Sequence, residues 1–165
     1  MYKRQREDIW QRTVAGLRQA GDLAAEFGIT LAIENHSGTL TQTARDAVAM
    51  AQQVGRANVG ILMDHYWVVA AGVEDPLQAA RLQAPHVRHC HCKGLVYENG
   101  QPRATLLDGG EIDWLEVLKV LQEAGYEGFL SDEYEKFWRP ELPEPEAGMA
   151  RNAAYLRECV GKLGG

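Results

Sequence analysis

The sequence predicts an α/β protein in which helices cover a parallel sheet. Four short apolar segments alternate with longer segments whose apolar residues recur at helical spacing. Several of the helical segments end in a glycine, which suits the left-handed residue that often closes a helix. Strands that alternate with helices pair in parallel through right-handed crossovers, so the helices come to lie against the sheet.

The predicted elements follow one another as helix and strand along the chain. The first helix spans residues 7–27, has apolar residues at Trp10, Val14 and Leu17, and is followed by Gly28. The later helices are predicted at residues 43–54, 75–82, 113–124 and 147–163. The strands are predicted at residues 30–35, 59–64, 87–93 and 128–133.

Capping and turn residues support these boundaries. Pro76 suits the first turn of the third helix. Asp113 and Glu116 have the spacing of a capping box at the start of the fourth helix, and Gly125 follows its end. Residues 94–110 are predicted to form a long loop after a strand, which is where parallel α/β proteins often place substrate contacts.

Length, charge and cysteine content narrow the class of protein. The chain has 165 residues, 45% of them hydrophobic, and we expect residues 1–165 to form a single domain. The net charge of −6 argues against nucleic acid as a partner. A membrane partner is not expected, because no apolar run approaches the roughly 20 residues of a membrane helix. Three cysteines without a disulfide pattern indicate a reducing cytoplasm.

Four side chains of the kind that bind metals lie at the carboxyl ends of the four predicted strands. They are Glu34, Asp64, His91 and Glu133. Because parallel strands joined by helices align their carboxyl ends at one edge of the sheet, we expect these side chains to converge. Three carboxylates and one imidazole suit one divalent ion that accepts oxygen and nitrogen ligands, such as Mn²⁺, Co²⁺, Mg²⁺ or Zn²⁺.

The third predicted strand carries metal-type residues on both of its faces. Side chains alternate along a strand, so His89, His91 and Lys93 share one face, and Cys90 and Cys92 share the other. We therefore expect the cysteines to be buried beneath the helices and His89 to be a hydrogen-bonded core residue. Lys93 is expected either to bind a substrate oxygen or phosphate or to be a solvated lysine.

Other assignments stay open at several positions. Asp64 has an alternative role as the cap of the following turn, and Glu34 has an alternative role as a solvated carboxylate at a strand end. His65 and His86 are predicted to be loop or surface residues. Arg103, within the predicted long loop, is a candidate clamp for the substrate.

Five segments of the chain resemble the sugar phosphate isomerase/epimerase family, whose fold is a xylose isomerase-like (β/α)8 barrel. They are LAIENH, VGILMDHYW, VRHCHCKG, GGEIDW and GYEGFLSDEYE. The resemblance runs over essentially the whole chain but covers only the C-terminal four βα units of that barrel. It implies a parallel barrel of the TIM type, here a half-barrel, with Glu34, Asp64, His91 and Glu133 as the ligands of one divalent metal ion.

The resemblance also implies a function: a metal-dependent isomerase or epimerase of a small sugar or sugar-like hydroxy-ketone. The metal would stabilise an enediolate while Glu34 and Glu133 exchange protons on opposite faces of the substrate. His36 and Lys93 are expected to contact the substrate. In the family a histidine commonly follows the second ligand by three residues. This chain has Trp67 there, which can stack on a sugar but cannot supply an imidazole.

Two other functions stay open. The first is phosphodiester hydrolysis of the endonuclease IV kind, which needs several zinc ions and more histidines; Trp67 and the acidic net charge count against it. The second is an inactive half-barrel that serves as a scaffold. Four parallel strands leave unpaired edges, so the expected partner is either the missing N-terminal half-barrel or a second copy in a homodimer.

Overall fold

A parallel four-stranded sheet forms the centre of the protein in a computed structural model that describes residues 2–164. Its strands are β1 (Leu31–Glu34), β2 (Val59–Asp64), β3 (Val87–Cys92) and β6 (Leu130–Asp132), in the order β1-β2-β3-β6. Each neighbouring pair is parallel, which confirms the predicted class and pairing. The ends of the predicted domain, residues 1 and 165, lie outside the described range.

Six α-helices accompany this sheet within the described range. They are α1 (Tyr2–Glu26), α2 (Ala44–Val54), α3 (His65–Ala71), α4 (Pro76–Gln83), α5 (Trp114–Glu123) and α6 (Pro145–Leu163). Capping explains two of the starts, because the Thr43 and Asp113 side chains accept hydrogen bonds from the backbone N–H groups of Asp46 and Glu116. None of the helices between residues 2 and 164 combines the length and apolar character needed to cross a bilayer.

Two structured elements lie where the sequence analysis predicted none. Residues 94–110 were predicted to be a loop, and this is wrong, because most of them form the antiparallel hairpin of β4 (Gly94–Glu98) and β5 (Gln101–Thr105). Asn99 and Gly100 connect its strands with φ angles of 51° and 74°, the conformation in which an Asn-Gly pair makes a tight hairpin turn. Helix α3 begins directly after β2 and was also missed.

The side of the sheet that faces the helices carries the hydrophobic core. Its fully buried members include Ile61 and Met63 of β2 and Cys90 and Cys92 of β3, which pack with Trp114 of α5. The predicted burial of the two cysteines beneath the helices is therefore confirmed. A second cluster, formed by Val14, Met50, Val54 and Val59, lies against α1 and α2.

An irregularity in the pairing of β2 with β3 sets the faces of β3. Ile61 pairs with Val87, but the next residue, Leu62, pairs with His89, so Arg88 is an extra residue in the strand. Val87 joins the core on the helix-facing side. The histidines of β3 then lie on the opposite side, which we call the site face of the sheet.

Candidate metal centre

The four predicted ligands meet at the carboxyl edge of the sheet. Glu34 ends β1, Asp64 ends β2, His91 lies in β3 and Glu133 directly follows β6. One ligand-type atom from each lies within 4.8 Å of those of the other three. His91 Nδ1 is 2.6 Å from Glu133 Oε2 and 3.7 Å from Glu34 Oε1. The parallel register produces this convergence, because Asp64 and His91 are direct partners across β2 and β3.

Buried amide side chains fix the position of Asp64. Asn35 donates through Nδ2 to the Asp64 carbonyl at 2.7 Å and accepts through Oδ1 from the Asp64 N–H at 3.0 Å. Gln83 donates to the same Asn35 oxygen at 3.0 Å. Both amides are fully buried. Asn35 therefore continues the pairing of β1 with β2 past Glu34, and Gln83 orients its amide, roles that the sequence analysis did not predict.

Asp64 caps the following turn, as one of its two predicted roles required, and its other carboxylate oxygen faces the cluster. Its Oδ1 accepts a hydrogen bond from the Tyr66 N–H at 3.1 Å and so caps the start of α3. Its Oδ2 faces the cluster, 2.8 Å from Lys93 Nζ. The carboxyl group is fully buried. One oxygen thus stabilises the fold while the other is available to a cation.

Lys93 lies within the cluster, and the alternative of a solvated lysine is wrong. Only 6% of its surface is exposed. Its ammonium is 2.8 Å from Asp64 Oδ2, 2.8 Å from Glu133 Oε2 and 3.8 Å from Glu135 Oε1. The charge also lies over the rings of Tyr66 and Trp67, at 5.7 and 5.6 Å from their centroids. A protein cation therefore sits directly beside the carboxylates.

Burial and these contacts shift the pKa values of the two acids Asp64 and Glu133 in opposite directions. Burial raises the pKa of Asp64 to about 6, although the positive charge of Lys93 opposes the change. The close contact of His91 Nδ1, supported by Lys93, lowers the pKa of Glu133 to about 2. The same contact with Glu133 raises the pKa of His91. Burial would lower the pKa of Lys93, but Asp64 and Glu133 outweigh it and raise the pKa.

Two of the predicted substrate-binding residues form an aromatic pair. The ring centroids of His36 and Trp67 are 4.2 Å apart, with the planes tilted by 49°. His36 Nδ1 lies 2.8 Å from the Ser37 carbonyl oxygen, and both rings of the pair are partly exposed. Trp67 also contacts the ammonium of Lys93, so the aromatic pair extends from the cluster toward solvent. A sugar ring presents apolar C–H faces that such a surface can pack against.

Other candidates lie outside the cluster. Arg103 belongs to β5, where Glu98 of β4 pairs with its guanidinium, and the structure does not bring it to the four carboxyl-edge residues. His65 was predicted to be a loop or surface residue, and this is wrong, because it is fully buried in α3 and packs edge-on against Trp114. Burial lowers the pKa of His65 to about 4. His89 lies 2.7 Å from the Ser131 hydroxyl, as expected for a hydrogen-bonded histidine, but it is partly exposed on the site face and is not a core residue.

The residues present fit a divalent metal ion. Asp64 Oδ2, His91 Nδ1 and Glu133 Oε2 are buried and make no hydrogen bond of normal geometry, although Lys93 or another member of the cluster lies close to each. Buried polar atoms of this kind are rare in proteins unless an ion, a water molecule or a ligand satisfies them. Three carboxylates and one imidazole are ligands for a divalent cation.

A comparison with protein families identifies the fold. Residues 2–159 match the model of the family described as xylose isomerase-like TIM barrel. The chain belongs to this family. The four parallel strands seen here are half of the eight in a closed barrel of this type. This result confirms the family resemblance and the fold class that the sequence analysis stated.

Curated relatives of this chain are longer than it is. An inosose dehydratase from Geobacillus thermodenitrificans (strain NG80-2) is 28% identical over 170 residues, which cover 94% of this chain and 56% of the relative. The chain thus spans about half the length of the curated relatives that it matches. Inosose dehydratases are sugar-modifying enzymes, and this chain is related to them as a member of an enzyme family.

Solved structures support the same fold. A xylose isomerase-like TIM barrel protein from Mycobacterium smegmatis in complex with magnesium matches with a TM-score of 0.77 at 20% identity, over 93% of this chain and 51% of that protein. The IOLI protein with a bound zinc atom matches with a TM-score of 0.77 at 22% identity, over 95% of this chain and 58% of that protein. An L-ribulose 3-epimerase matches with a TM-score of 0.75 at 22% identity, over 93% of this chain and 54% of that protein. At such identities the likeness establishes the fold alone.

Proposed function

We propose that the protein is a metal-dependent isomerase or epimerase of a small sugar or sugar-like hydroxy-ketone. The observation that carries this proposal is the placement of two glutamates on the two outer strands of the sheet, with a histidine and an aspartate between them. Glu34 belongs to β1, and Glu133 follows β6. A substrate held between them would have one carboxylate near each of its faces, as inversion at a carbon requires.

The metal centre is part of the proposal. Glu34, Asp64, His91 and Glu133 would hold one divalent ion of the series Mn²⁺, Co²⁺, Mg²⁺ and Zn²⁺. Such an ion supplies a Lewis acid that stabilises negative charge on the carbonyl oxygen of the substrate. Structural neighbours that bind magnesium and zinc support the choice of metals. The single histidine among the clustered ligands gives no support to a multi-zinc hydrolase.

The protein's own side chains would transfer the protons and hold the substrate. Glu34 would take the proton from the carbon beside the carbonyl, and Glu133 would return one to the opposite face, or the reverse. Lys93 is positioned to donate a hydrogen bond to a substrate oxygen, because its ammonium lies between the carboxylates and Trp67. The pair of His36 and Trp67 would pack against the apolar face of the sugar.

Dehydration is a second candidate, favoured by the inosose dehydratases among the curated relatives. It begins with the same removal of a proton beside a carbonyl. The C–O bond at the next carbon then breaks, and the hydroxyl leaves as water after it takes a proton from an acid. The product is an unsaturated ketone, so the two candidates share their first step and differ in their products.

Solvent exchange tests the shared step. The metal-loaded protein is incubated in D₂O with an inosose, L-ribulose and D-psicose, and the recovered sugars are analysed by NMR and mass spectrometry. We expect deuterium at the carbon beside the carbonyl, together with an epimer or isomer. An unsaturated product would favour the dehydratase instead. Turnover without exchange would contradict proton transfer and favour a hydride shift.

Metal analysis tests the centre independently of turnover. We expect about one equivalent of divalent ion per chain in the wild-type protein and a loss of tight binding in His91→Ala, since one of the four ligands is removed. His86→Ala is the matched control, because His86 lies in the short helix before β3, away from the cluster. Equal metal content in all three proteins would contradict the proposed ligand set.

A further inference from the structure

We propose that Lys93 is a positioning residue that takes the place of the metal ion until the ion binds. Its ammonium would hold Asp64 and Glu133 together in the metal-free protein and then compete with the ion for the same two oxygens. The inference rests on the proposed metal centre and adds to it a residue that is not a ligand. It predicts that the lysine stabilises the empty site and weakens metal binding.

The contacts of Lys93 coincide with those expected of the ion. Its Nζ lies 2.8 Å from Asp64 Oδ2 and 2.8 Å from Glu133 Oε2, and both oxygens belong to the buried atoms that make no hydrogen bond of normal geometry. The interaction is therefore mainly one of charge. A divalent ion bound by these carboxylates would need the same oxygens, so the lysine and the ion cannot both keep them as nearest partners.

The charge balance of the cluster requires a cation. Glu34, Asp64 and Glu133 place ligand-type atoms within 4.8 Å of one another, and Glu135 adds a fourth carboxylate 3.8 Å from Lys93. Like charges at such distances repel strongly where solvent is partly excluded. Lys93 is the most buried cationic side chain beside these acids. Removing its charge leaves the carboxylates with His91 as the only other adjacent cationic group in the described contacts.

The backbone around Lys93 is fixed, so this arrangement is built into the fold. The Lys93 carbonyl accepts a hydrogen bond from the buried Trp114 Nε1 at 3.2 Å. The next residue, Gly94, lies so close to the Thr105 and Leu106 carbonyls that a Cβ would overlap them. The rings of Tyr66 and Trp67 flank the ammonium. The side chain is therefore held against the carboxylates from several directions.

The test compares Lys93→Met with the wild-type protein after removal of all metal. Methionine keeps much of the length of the apolar stem and removes the charge. We expect Lys93→Met to melt at a lower temperature in EDTA, to bind Mn²⁺ or Zn²⁺ about ten-fold more tightly, and to gain more melting temperature on metal addition. Affinity is measured by competition with a chelator, which does not depend on turnover.

Lys136→Met is the matched control. Lys136 is partly buried and lies 3.2 Å from a carboxylate oxygen of Glu144, but its ammonium donates to the carbonyls of Pro140 and Leu142 and does not face the cluster. This variant is expected to lose some stability with no change in metal affinity. If the loss of any lysine charge changed metal affinity, both variants would show the same change in affinity. Only Lys93→Met should tighten metal binding.

The outcomes separate this inference from the proposed function. If the wild-type protein binds metal through His91 but Lys93→Met binds it no more tightly, the inference about Lys93 is overturned and the metal centre stands. If neither protein binds metal, the metal centre itself fails. A Lys93→Met protein that folds only with metal would support the inference. If it folds in neither condition, Lys93→Arg decides: retained charge should keep metal affinity at or below that of wild type, and tighter binding would overturn the proposal.

Discussion

The two faces of the central sheet differ in both packing and chemistry. On the helix-facing side, Ile61, Met63, Cys90 and Cys92 are completely buried and pack against helices. On the site face many side chains are polar: Asp64 is fully buried there, whereas His89 is partly buried beside the Ser131 hydroxyl. Since neighbouring residues of one strand point to opposite faces, stability and chemistry are assigned to alternate positions.

One short strand can therefore contribute both to the core and to the site. In β3, the cysteines fill the core, and His91 between them belongs to the candidate metal centre. In β2, Asp64 at the carboxyl end belongs to the site, whereas Ile61 and Met63 belong to the core. Substitutions on the helix-facing side should therefore change mainly stability, and substitutions on the site face should change mainly metal binding and turnover.

The largest expected effect concerns the two glutamates of the site face. Glu34→Gln and Glu133→Gln should each lower turnover of the metal-loaded protein by about 10²- to 10⁴-fold, because each removes a proton acceptor. Thermal unfolding of the same proteins should stay cooperative. Glu123→Gln, an exposed glutamate at the end of α5, is the control and should keep full activity. Retained turnover in either cluster variant would show that this glutamate does not transfer a proton in the reaction.

A second prediction uses neighbouring residues of β2 that point to opposite faces. Ile61 is fully buried on the helix-facing side, and Leu62 is partly buried on the site face. Ile61→Ala should lower the free energy of unfolding by about 2–5 kcal/mol, because it leaves a cavity in the core. Leu62→Ala should cost less, about 1 kcal/mol. Urea unfolding measures both, and equal costs would contradict the division of faces.

A third prediction concerns pH and the buried His65. Its pKa of about 4 in the folded protein is below the ordinary value of 6.5, so only the unfolded chain gains a proton as the pH falls between these values. His65 therefore lowers the free energy of unfolding as the pH falls. The raised pKa of Asp64, about 6, acts in the opposite direction over nearly the same range. The two effects should largely cancel in the metal-free wild-type protein.

His65→Phe would separate these two contributions. Relative to this variant, the wild-type protein should lose about 3 kcal/mol of unfolding free energy between pH 6.5 and pH 4, which is the size that the pKa difference implies. The measurement is urea unfolding of both metal-free proteins across that range. His86→Phe serves as the control, since His86 remains partly exposed. Parallel curves for wild type and His65→Phe would show that the buried imidazole does not control this pH dependence.

The last prediction concerns the oligomeric state of the protein and depends on the open edges of the sheet. Within the described residues, β1 and β6 each pair on one side only. Phe27, Ile29 and Phe129 are exposed near the amino ends of these strands, with Phe129 83% exposed. We predict that the isolated chain associates as a homodimer through these edges. Light scattering should give twice the monomer mass, and a stable monomer would contradict this prediction.

Phe129→Lys should weaken this association, because it places a charge at the edge of β6. Phe137→Lys is the matched control: Phe137 is equally exposed, at 84%, but lies after β6 in the segment before α6. If both variants lower the mass equally, the association depends on general surface hydrophobicity and not on the sheet edges. If neither does, a different surface joins the copies.

Much of this architecture follows from local sequence patterns. Apolar runs and glycine caps predicted all four strands of the sheet, and strand ends predicted the convergence of the four metal-type side chains. The burial of Lys93 was not predictable in this way, because Asp64, Glu133 and Trp114 come near it only after folding. The role of Asn35 depends in the same way on its distant partner Gln83.

The hairpin of β4 and β5 and helix α3, which the sequence analysis did not predict, each have an indicator in the local sequence. The Asn99-Gly100 pair is a strong indicator of a tight hairpin, although the flanking residues alternate only weakly between apolar and polar. Helix α3 ends at Gly72 in the left-handed conformation, and a glycine at such a position is a common sequence signal for the end of a helix. Recognising α3 would also have placed His65 in a helix and not in a loop.

The extra residue at Arg88 acts as a phase shift within β3. Upstream of it, Val87 contributes to the core; downstream, the alternation restarts so that the histidines and Lys93 reach the carboxyl edge on the site face. Without this insertion, regular alternation would place Val87 on the same face as the histidines. One additional amino acid thus lets the first residue of β3 pack in the core while the later histidines lie on the site face.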